Sequence, residues 1–123
     1  MILVDTSVWI DHLRAADKAL VSALNDRRVL VHPFVIGEIA LGNLRQRDLV
    51  LSLLRALPHA KAATDDEVLE FVSAHRLNGS GIGLIDAHLL ASVTLTPGAR
   101  LWSRDRRLRE IAARMKLAAD PVG

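Results

Sequence analysis

Short apolar runs alternate with helical patterns along this chain, and this alternation constrains the fold more than any other feature. Runs typical of buried strands lie at residues 2–4, 29–31 and 100–102, with weaker candidates at 60–63 and 117–119. Between them, the spacing of apolar residues predicts helices that begin near residue 7 and then span 17–24, 33–44, 48–57, 64–76, 84–95 and 105–115. Strands joined by helices favour right-handed crossovers, so we expect an α/β fold with a parallel sheet of four to five short strands between two helical layers.

Local signals refine two of these helices. Ser7 is the predicted N-cap of the first, and Val8, Ile10 and Leu13, or their neighbours, are expected on its inward face. Thr64, followed three residues later by Glu67, is a capping-box pattern for the helix at 64–76. The glycine-rich loop at 78–83 lacks the lysine of a phosphate-binding loop, so it is expected only to form a turn.

Length and composition limit the class of protein. The 123 residues, half of them hydrophobic, predict one domain over residues 1–123. No apolar run approaches the roughly 20 residues of a membrane span, and the opening residues lack the pattern of a signal peptide. The chain has no cysteine, which excludes disulfides and thiolate metal sites and fits a cytoplasmic location. The net charge is only +2, although the isoelectric point is near 9.7, so an anionic partner is only weakly favoured.

Four acidic residues stand where such a fold places functional sites. Asp5 ends the first strand, and Asp105 follows the strand at 100–102. Sites in parallel α/β sheets lie beyond the carboxyl ends of the strands, so both acids should reach one edge. Glu38 lies among apolar residues of the helix at 33–44, and Asp86 lies in the first turn of the helix at 84–95.

Each acid alone has an ordinary explanation as a helix cap, a first-turn acid or an exposed helix residue. Together they would repel one another at one sheet edge unless a cation joined them. Oxygen ligands suit Mg²⁺, which a few carboxylates and waters satisfy. Such a site can activate water and stabilise charge on a phosphate.

Four sequence stretches carry a family resemblance. In order along the chain they are MILVDTSVWID, HPFVIGEIALG, GSGIGLIDAHLLAS and LWSRDRRL, and each contains one of the four acids. With these stretches the chain resembles a PIN-domain ribonuclease, specifically a VapC-type toxin of a bacterial toxin–antitoxin pair. The resemblance covers nearly the whole chain and implies a three-layer PIN-like domain.

The resemblance also implies roles for individual residues. Asp5, Glu38, Asp86 and Asp105 would be catalytic and would bind Mg²⁺ or Mn²⁺. The hydroxyl groups of Thr6, Ser7 and Ser103 would position these acids or a water molecule. Position 103 is serine where threonine is commoner in the family, and the hydroxyl is kept.

Arginines, histidines and one further aspartate are the other polar residues with a possible role. Six arginines gather near Asp105, and of these Arg104, Arg106 and Arg107 are candidates for contacts with an RNA backbone, although a solvated helix face is the alternative. Asp11 is expected on a solvated helix face. The five histidines show no spacing typical of a metal site and are expected to be structural or on the surface.

The predicted function is a metal-dependent endoribonuclease that acts as a toxin and inhibits translation and growth. The resemblance implies an RNA substrate, a cognate VapB-type antitoxin and a homodimer, with no membrane contact. A catalytically silent PIN-like scaffold that binds RNA or protein is the alternative. A receiver domain is rejected, because Asp48 falls in helical sequence and Lys116 comes too late for the roles that fold requires.

Overall fold

The computed structural model describes residues 1–120. Three strands and seven helices alternate within this part of the chain. In order they are β1 (Ile2–Val4), α1 (Thr6–Arg14), α2 (Lys18–Asn25), β2 (Val29–Leu30), α3 (Pro33–Ala40), α4 (Arg47–Ala56), α5 (Asp65–Ala74), α6 (Leu84–Leu95), β3 (Arg100–Trp102) and α7 (Arg106–Arg114). The predicted α/β class is confirmed.

The sheet is parallel, with β1 between the other two strands in the order β2-β1-β3. Leu3 is in register with Leu30 on one side and with Leu101 on the other. Two isolated parallel bridges extend the sheet, from Val31 to His59 and from Leu101 to Ala118. All strand carboxyl ends therefore meet at one edge.

The two weaker strand predictions, at 60–63 and 117–119, are wrong in extent. In the described residues the first range forms no strand, since the bridge lies just before it at His59, and the second holds a single bridge at Ala118. The sheet of residues 1–120 therefore has three strands rather than four to five. Val31 donates to the Pro58 carbonyl and accepts from the Ala60 N–H, both at 2.9 Å. Pro58 has no N–H for the sheet, and Thr64 already caps α5. Few residues are therefore left between the two helices for a longer ladder.

Both faces of the sheet are covered. Successive residues of a strand point to opposite faces. Ile2, Leu3 and Val4 are all buried, so the central strand meets apolar side chains on each side. This burial accounts for the predicted three layers, and it explains why β1 is a continuous apolar run rather than an alternating one.

Helix α1 differs from its prediction. Its N-cap is Asp5, whose carboxylate accepts the Ser7 N–H, so the helix begins earlier than a cap at Ser7 would allow. Val8 and Trp9 are buried, whereas Ile10 and Leu13 are 42% and 37% exposed. The apolar residues of α1 are therefore divided between the core and the surface. By contrast, α6 spans its predicted residues, and the capping box of Thr64 and Glu67 is confirmed.

Candidate active site

The parallel pairing of β1 and β3 brings the first and last acids together. The Asp5 N–H donates to the Trp102 carbonyl at 2.9 Å, which ties the carboxyl ends of the two strands. Asp5 then caps α1, and Asp105 caps α7 by accepting the Leu108 N–H at 3.0 Å. Each acid thus lies at the turn from a strand into a helix, as the sequence predicts.

Asp5 is a buried carboxylate held by hydroxyl groups. Its Oδ2 atom accepts from Ser7 Oγ at 2.7 Å, from Ser103 Oγ at 2.8 Å and from the Ser7 N–H at 3.4 Å. The Ser103 hydroxyl in turn accepts the Asp105 N–H at 3.0 Å. Because these bonds to Asp5 end on one oxygen, its orientation is fixed, and within residues 1–120 the second oxygen, Oδ1, is left for a further ligand.

Glu38 is oriented by the hydroxyl of Thr6, the first residue of α1. Thr6 Oγ1 donates to Glu38 Oε1 at 2.8 Å, across 32 residues of sequence. Glu38 is half-buried, because Ile36 and Ile39 of α3 pack into the core on either side of it. The hydroxyls of Thr6, Ser7 and Ser103 therefore all contact an acid that the sequence assigned to the site.

The surroundings of Asp86 disfavour the charged form of its carboxyl group. Burial raises the pKa of its carboxyl, and the negative charges of Asp5, Asp105 and Glu38 raise it further. The Gly83 N–H, 3.4 Å from Oδ2, opposes this shift. The structure thus brings the four predicted acids close enough for three of them to repel the fourth.

The four acids are the candidate ligands for a metal ion. Among residues 1–120, no three acidic or histidine side chains stand where they could already hold a metal ion. The donors are all carboxylate oxygens, and no cation contributes to the pKa shift of Asp86. Carboxylate oxygens are the donors that a hard divalent cation prefers, so the chemistry of these side chains fits such an ion.

The candidate arginines differ in their contacts. Arg104 pairs with Asp11 at 2.7 Å and also with Asp17, and its guanidinium lies 5.6 Å from the Trp102 ring centre. Arg106 is well exposed and, within residues 1–120, pairs only with Glu110, one turn along α7. Arg107 reaches the glycine loop, with Nη1 3.5 Å from the Gly81 carbonyl. Arg106 and Arg107 are therefore exposed side chains with few contacts in the described residues, whereas two carboxylates compensate the charge of Arg104.

Sequence reasoning missed the acids that hold Arg104. Asp11 was expected on a solvated face, and Asp17 was noted only as the start of a helix. Asp17 caps α2, and hydrogen bonds from the Leu20 N–H and from Arg104 hold the pKa of Asp17 below its usual value. No local sequence pattern indicates these pairings, because Arg104 is 93 residues away from Asp11 and 87 residues away from Asp17.

His32 has a structural role in α3, the helix that carries Glu38. It caps α3, with Nδ1 accepting the Phe34 N–H at 3.0 Å, and it packs edge-on against the Phe34 ring. Its Nε2 atom is buried without a hydrogen-bond partner in the described residues. Burial lowers the pKa of His32 from 6.5 to about 4, and the nearby His88 and His59 contribute to this shift.

An apolar groove lies between α1, α2 and α4, away from the acids. Its volume is about 320 Å³, and the side chains along it include a buried tryptophan, a histidine and several partly exposed aliphatic residues. They are Trp9, His12, Leu13, Leu24, Val50, Leu53, Leu54 and Leu57. Within residues 1–120, no helix is long and apolar enough to cross a membrane.

Comparison with known proteins places this chain in a family. The family model described as PIN domain matches residues 2–114. The chain is also 55% identical over 118 residues to a protein named Ribonuclease VapC32, both in Mycobacterium tuberculosis strain CDC 1551 / Oshkosh and in strain ATCC 25618 / H37Rv. The match covers 96% of this chain and 95% of each relative. The chain therefore belongs to the PIN-domain family and, within it, to the VapC-type proteins.

Proposed function

We propose that this protein is a metal-dependent endoribonuclease and the toxin of a toxin–antitoxin pair, acting in the cytoplasm. It would hydrolyse RNA phosphodiester bonds and so inhibit translation and growth. The observation that carries the proposal is the meeting of the acids at one edge of the sheet: the Asp5 N–H bonds the Trp102 carbonyl, so Asp5 and Asp105 follow two paired strands. In agreement, burial raises the pKa of Asp86, and the charges of Asp5, Asp105 and Glu38 raise it further. The 55% identity to a protein named as a ribonuclease gives this cluster its chemistry.

Asp5, Glu38, Asp86 and Asp105 would hold Mg²⁺ or Mn²⁺. When bound, the ion would offset the repulsion among the carboxylates, polarise a phosphate oxygen and lower the pKa of a water molecule. Asp5 would offer Oδ1, because Ser7 and Ser103 already engage Oδ2.

The chain's own residues would orient the reaction. Thr6 engages Glu38 Oε1, which leaves Oε2 to accept a proton from the water that attacks the phosphate. Arg106 and Arg107, at the start of α7, would neutralise phosphates on either side of the scissile bond. Ser7 and Ser103 would keep Asp5 from turning away from the site.

A separate antitoxin chain would restrain this activity. The apolar groove between α1, α2 and α4 suits an apolar helix of a VapB-type partner. An arginine or lysine from that partner, reaching the acids, would replace the charge of the metal and exclude RNA. A homodimer of this chain is also part of the proposal.

The function is tested by mapping RNA 5′ ends after brief expression of the wild type and of Asp5→Asn. We expect new ends at defined sites with the wild type only, and no cleavage by purified wild type in excess chelator. Equal cleavage by Asp5→Asn, or full cleavage in chelator, would contradict the proposal. Co-expression of a small neighbouring reading frame should relieve toxicity, and its product should co-purify.

A further inference from the structure

Arg104 joins three parts of the molecule, and we refer to Arg104, Asp11 and Asp17 as the arginine bracket. Nη1 of Arg104 binds Asp11 of α1 at 2.7 Å, and Nη2 binds Asp17, the N-cap of α2. The guanidinium also lies over Trp102 of β3. One side chain thus fixes the segment after β3 to the two helices that follow β1.

The main chain of the same segment supports the acids. The Arg104 N–H donates to Ser7 Oγ at 2.9 Å, and this hydroxyl donates to Asp5. The neighbouring Asp105 N–H donates to Ser103 Oγ, which also donates to Asp5. The position of residues 103–105 therefore determines how firmly both hydroxyls hold Asp5, and where Asp105 stands.

We propose that Arg104 is a positioning residue for RNA cleavage, acting through the arginine bracket, and that it does not contact the RNA backbone. The proposal rests on the proposed endoribonuclease function. By holding residues 103–105 against α1 and α2, Arg104 keeps Asp5 and Asp105 in their working orientation.

The charges around Arg104 argue against a contact with phosphate. Two carboxylates surround its single positive charge, so an approaching phosphate would meet a net negative group. The terminal nitrogens already donate to carboxylates, and Asp17 is mostly buried in this contact. Arg106 and Arg107 carry no such double pairing among the described residues and are better suited to RNA.

Steady-state kinetics separate the two roles because they predict changes of opposite kind. Arg104→Gln removes the bracket and the charge. A double variant, Asp11→Asn with Asp17→Asn, weakens the bracket but leaves Arg104 charged, and asparagine still caps α2. For a positioning residue, both variants lower kcat about tenfold while KM stays within about twofold.

A residue that contacts RNA would give another result. Arg104→Gln would raise KM with kcat unchanged, and the double variant, which frees the guanidinium, would lower KM. Either change in KM would overturn the proposal. The matched control is the exposed pair of Arg28 and Asp26, 3.4 Å apart at the opposite end of the sheet. Arg28→Gln changes the net charge as much as Arg104→Gln does, and Asp26→Asn removes one of the two negative charges that the double variant removes. Both control variants should leave both constants unchanged.

A second readout does not depend on activity. In protein without RNA or metal, amide hydrogen exchange at Arg104 and Asp105 reports their hydrogen bonds to Ser7 and Ser103. Exchange at both amides should be faster in Arg104→Gln and in the double variant than in the wild type. Unchanged exchange in both would contradict the proposal. If the wild type itself cleaves no RNA, the proposed function fails, whereas exchange still decides whether Arg104 holds this segment.

Discussion

Asp5 and Asp86 lie at the same edge of the sheet but in different surroundings. Asp5 is the more deeply buried, yet two hydroxyls and an N–H stabilise its charge. Within residues 1–120, Asp86 has a single long hydrogen bond, from Gly83, and its pKa is raised by burial and by three negative neighbours. The contrast lies in the hydrogen-bond donors that the fold supplies, which are three for the buried Asp5 and one for Asp86.

The largest expected effect tests whether both acids serve one reaction despite this contrast. Asp5→Asn and Asp86→Asn should each reduce RNA cleavage to an undetectable level while far-UV circular dichroism stays that of a folded protein. Asp66→Asn, an exposed acid on α5, is the control and should cleave like the wild type. If either site variant retained wild-type cleavage, that acid would have no part in the chemistry.

The two ring nitrogens of His32 also differ in their surroundings. Nδ1 accepts a hydrogen bond, whereas the buried Nε2 has no partner among the described residues. Its pKa is about 4 in the folded protein and 6.5 in the unfolded chain. Between these values only the unfolded chain binds the proton, so stability is lost as the pH falls. The loss from neutral pH to about pH 4 should be about 3 kcal/mol.

Denaturant unfolding at several pH values measures this loss. His32→Asn is the comparison, because asparagine can cap α3 but does not titrate. The difference between the two proteins should shrink as the pH falls toward 4. Parallel pH profiles for wild type and variant would show that His32 does not contribute.

The hydroxyls around Asp5 provide a sharper comparison between two buried serines. Ser103→Ala removes a bond to Asp5 and leaves the Asp105 N–H without its acceptor, so it should cost about 1–3 kcal/mol of unfolding free energy. Ser92 is equally buried, but its hydroxyl has no partner in the described residues, so Ser92→Ala should cost much less. Equal losses in urea unfolding would remove the argument that Ser103 supports Asp5.

The smallest effect concerns Asp105, which both caps α7 and faces the other acids. Asp105→Ala should cost about 1 kcal/mol of stability, because the Leu108 N–H loses its acceptor. Asp105→Asn keeps a cap and should melt close to the wild type. Cleavage should fall in both variants, and by less than in the variants of Asp5 and Asp86. An alanine variant that melted and cleaved like the wild type would have neither role.

Much of this arrangement is predictable from the sequence, because it depends on local patterns. An apolar run followed directly by an acid places Asp5 at a strand end, and parallel strands then bring Asp105 to the same edge. The bounds of α6 and the capping box of α5 follow equally from short-range signals. Confirmed membership of the PIN-domain family agrees with that fold, whereas the roles of the acids stay predictions.

The remainder depends on contacts between distant parts of the chain. The outer strand predicted at 60–63 is replaced by a bridge at His59, because Pro58 and the cap of α5 leave few residues for a longer ladder, and the one predicted at 117–119 is a bridge at Ala118. The pairing of Arg104 with Asp17 spans 87 residues, so no local pattern in the sequence distinguishes Arg104 from Arg106 and Arg107. Ile10 and Leu13 are predicted on the inward face of α1, whereas Leu13 lines the apolar groove at the surface and Ile10 is exposed.

The most direct test of the central claim, that four acids form a cation site at one sheet edge, is thermal unfolding of the wild type and Asp86→Asn with and without Mn²⁺. Without metal, Asp86→Asn should melt above the wild type, because asparagine removes a desolvated charge that three acids repel. Mn²⁺ should raise the Tm of the wild type and raise that of the variant much less. A metal-free variant that melts below the wild type, together with a wild-type Tm that Mn²⁺ does not change, would contradict the claim.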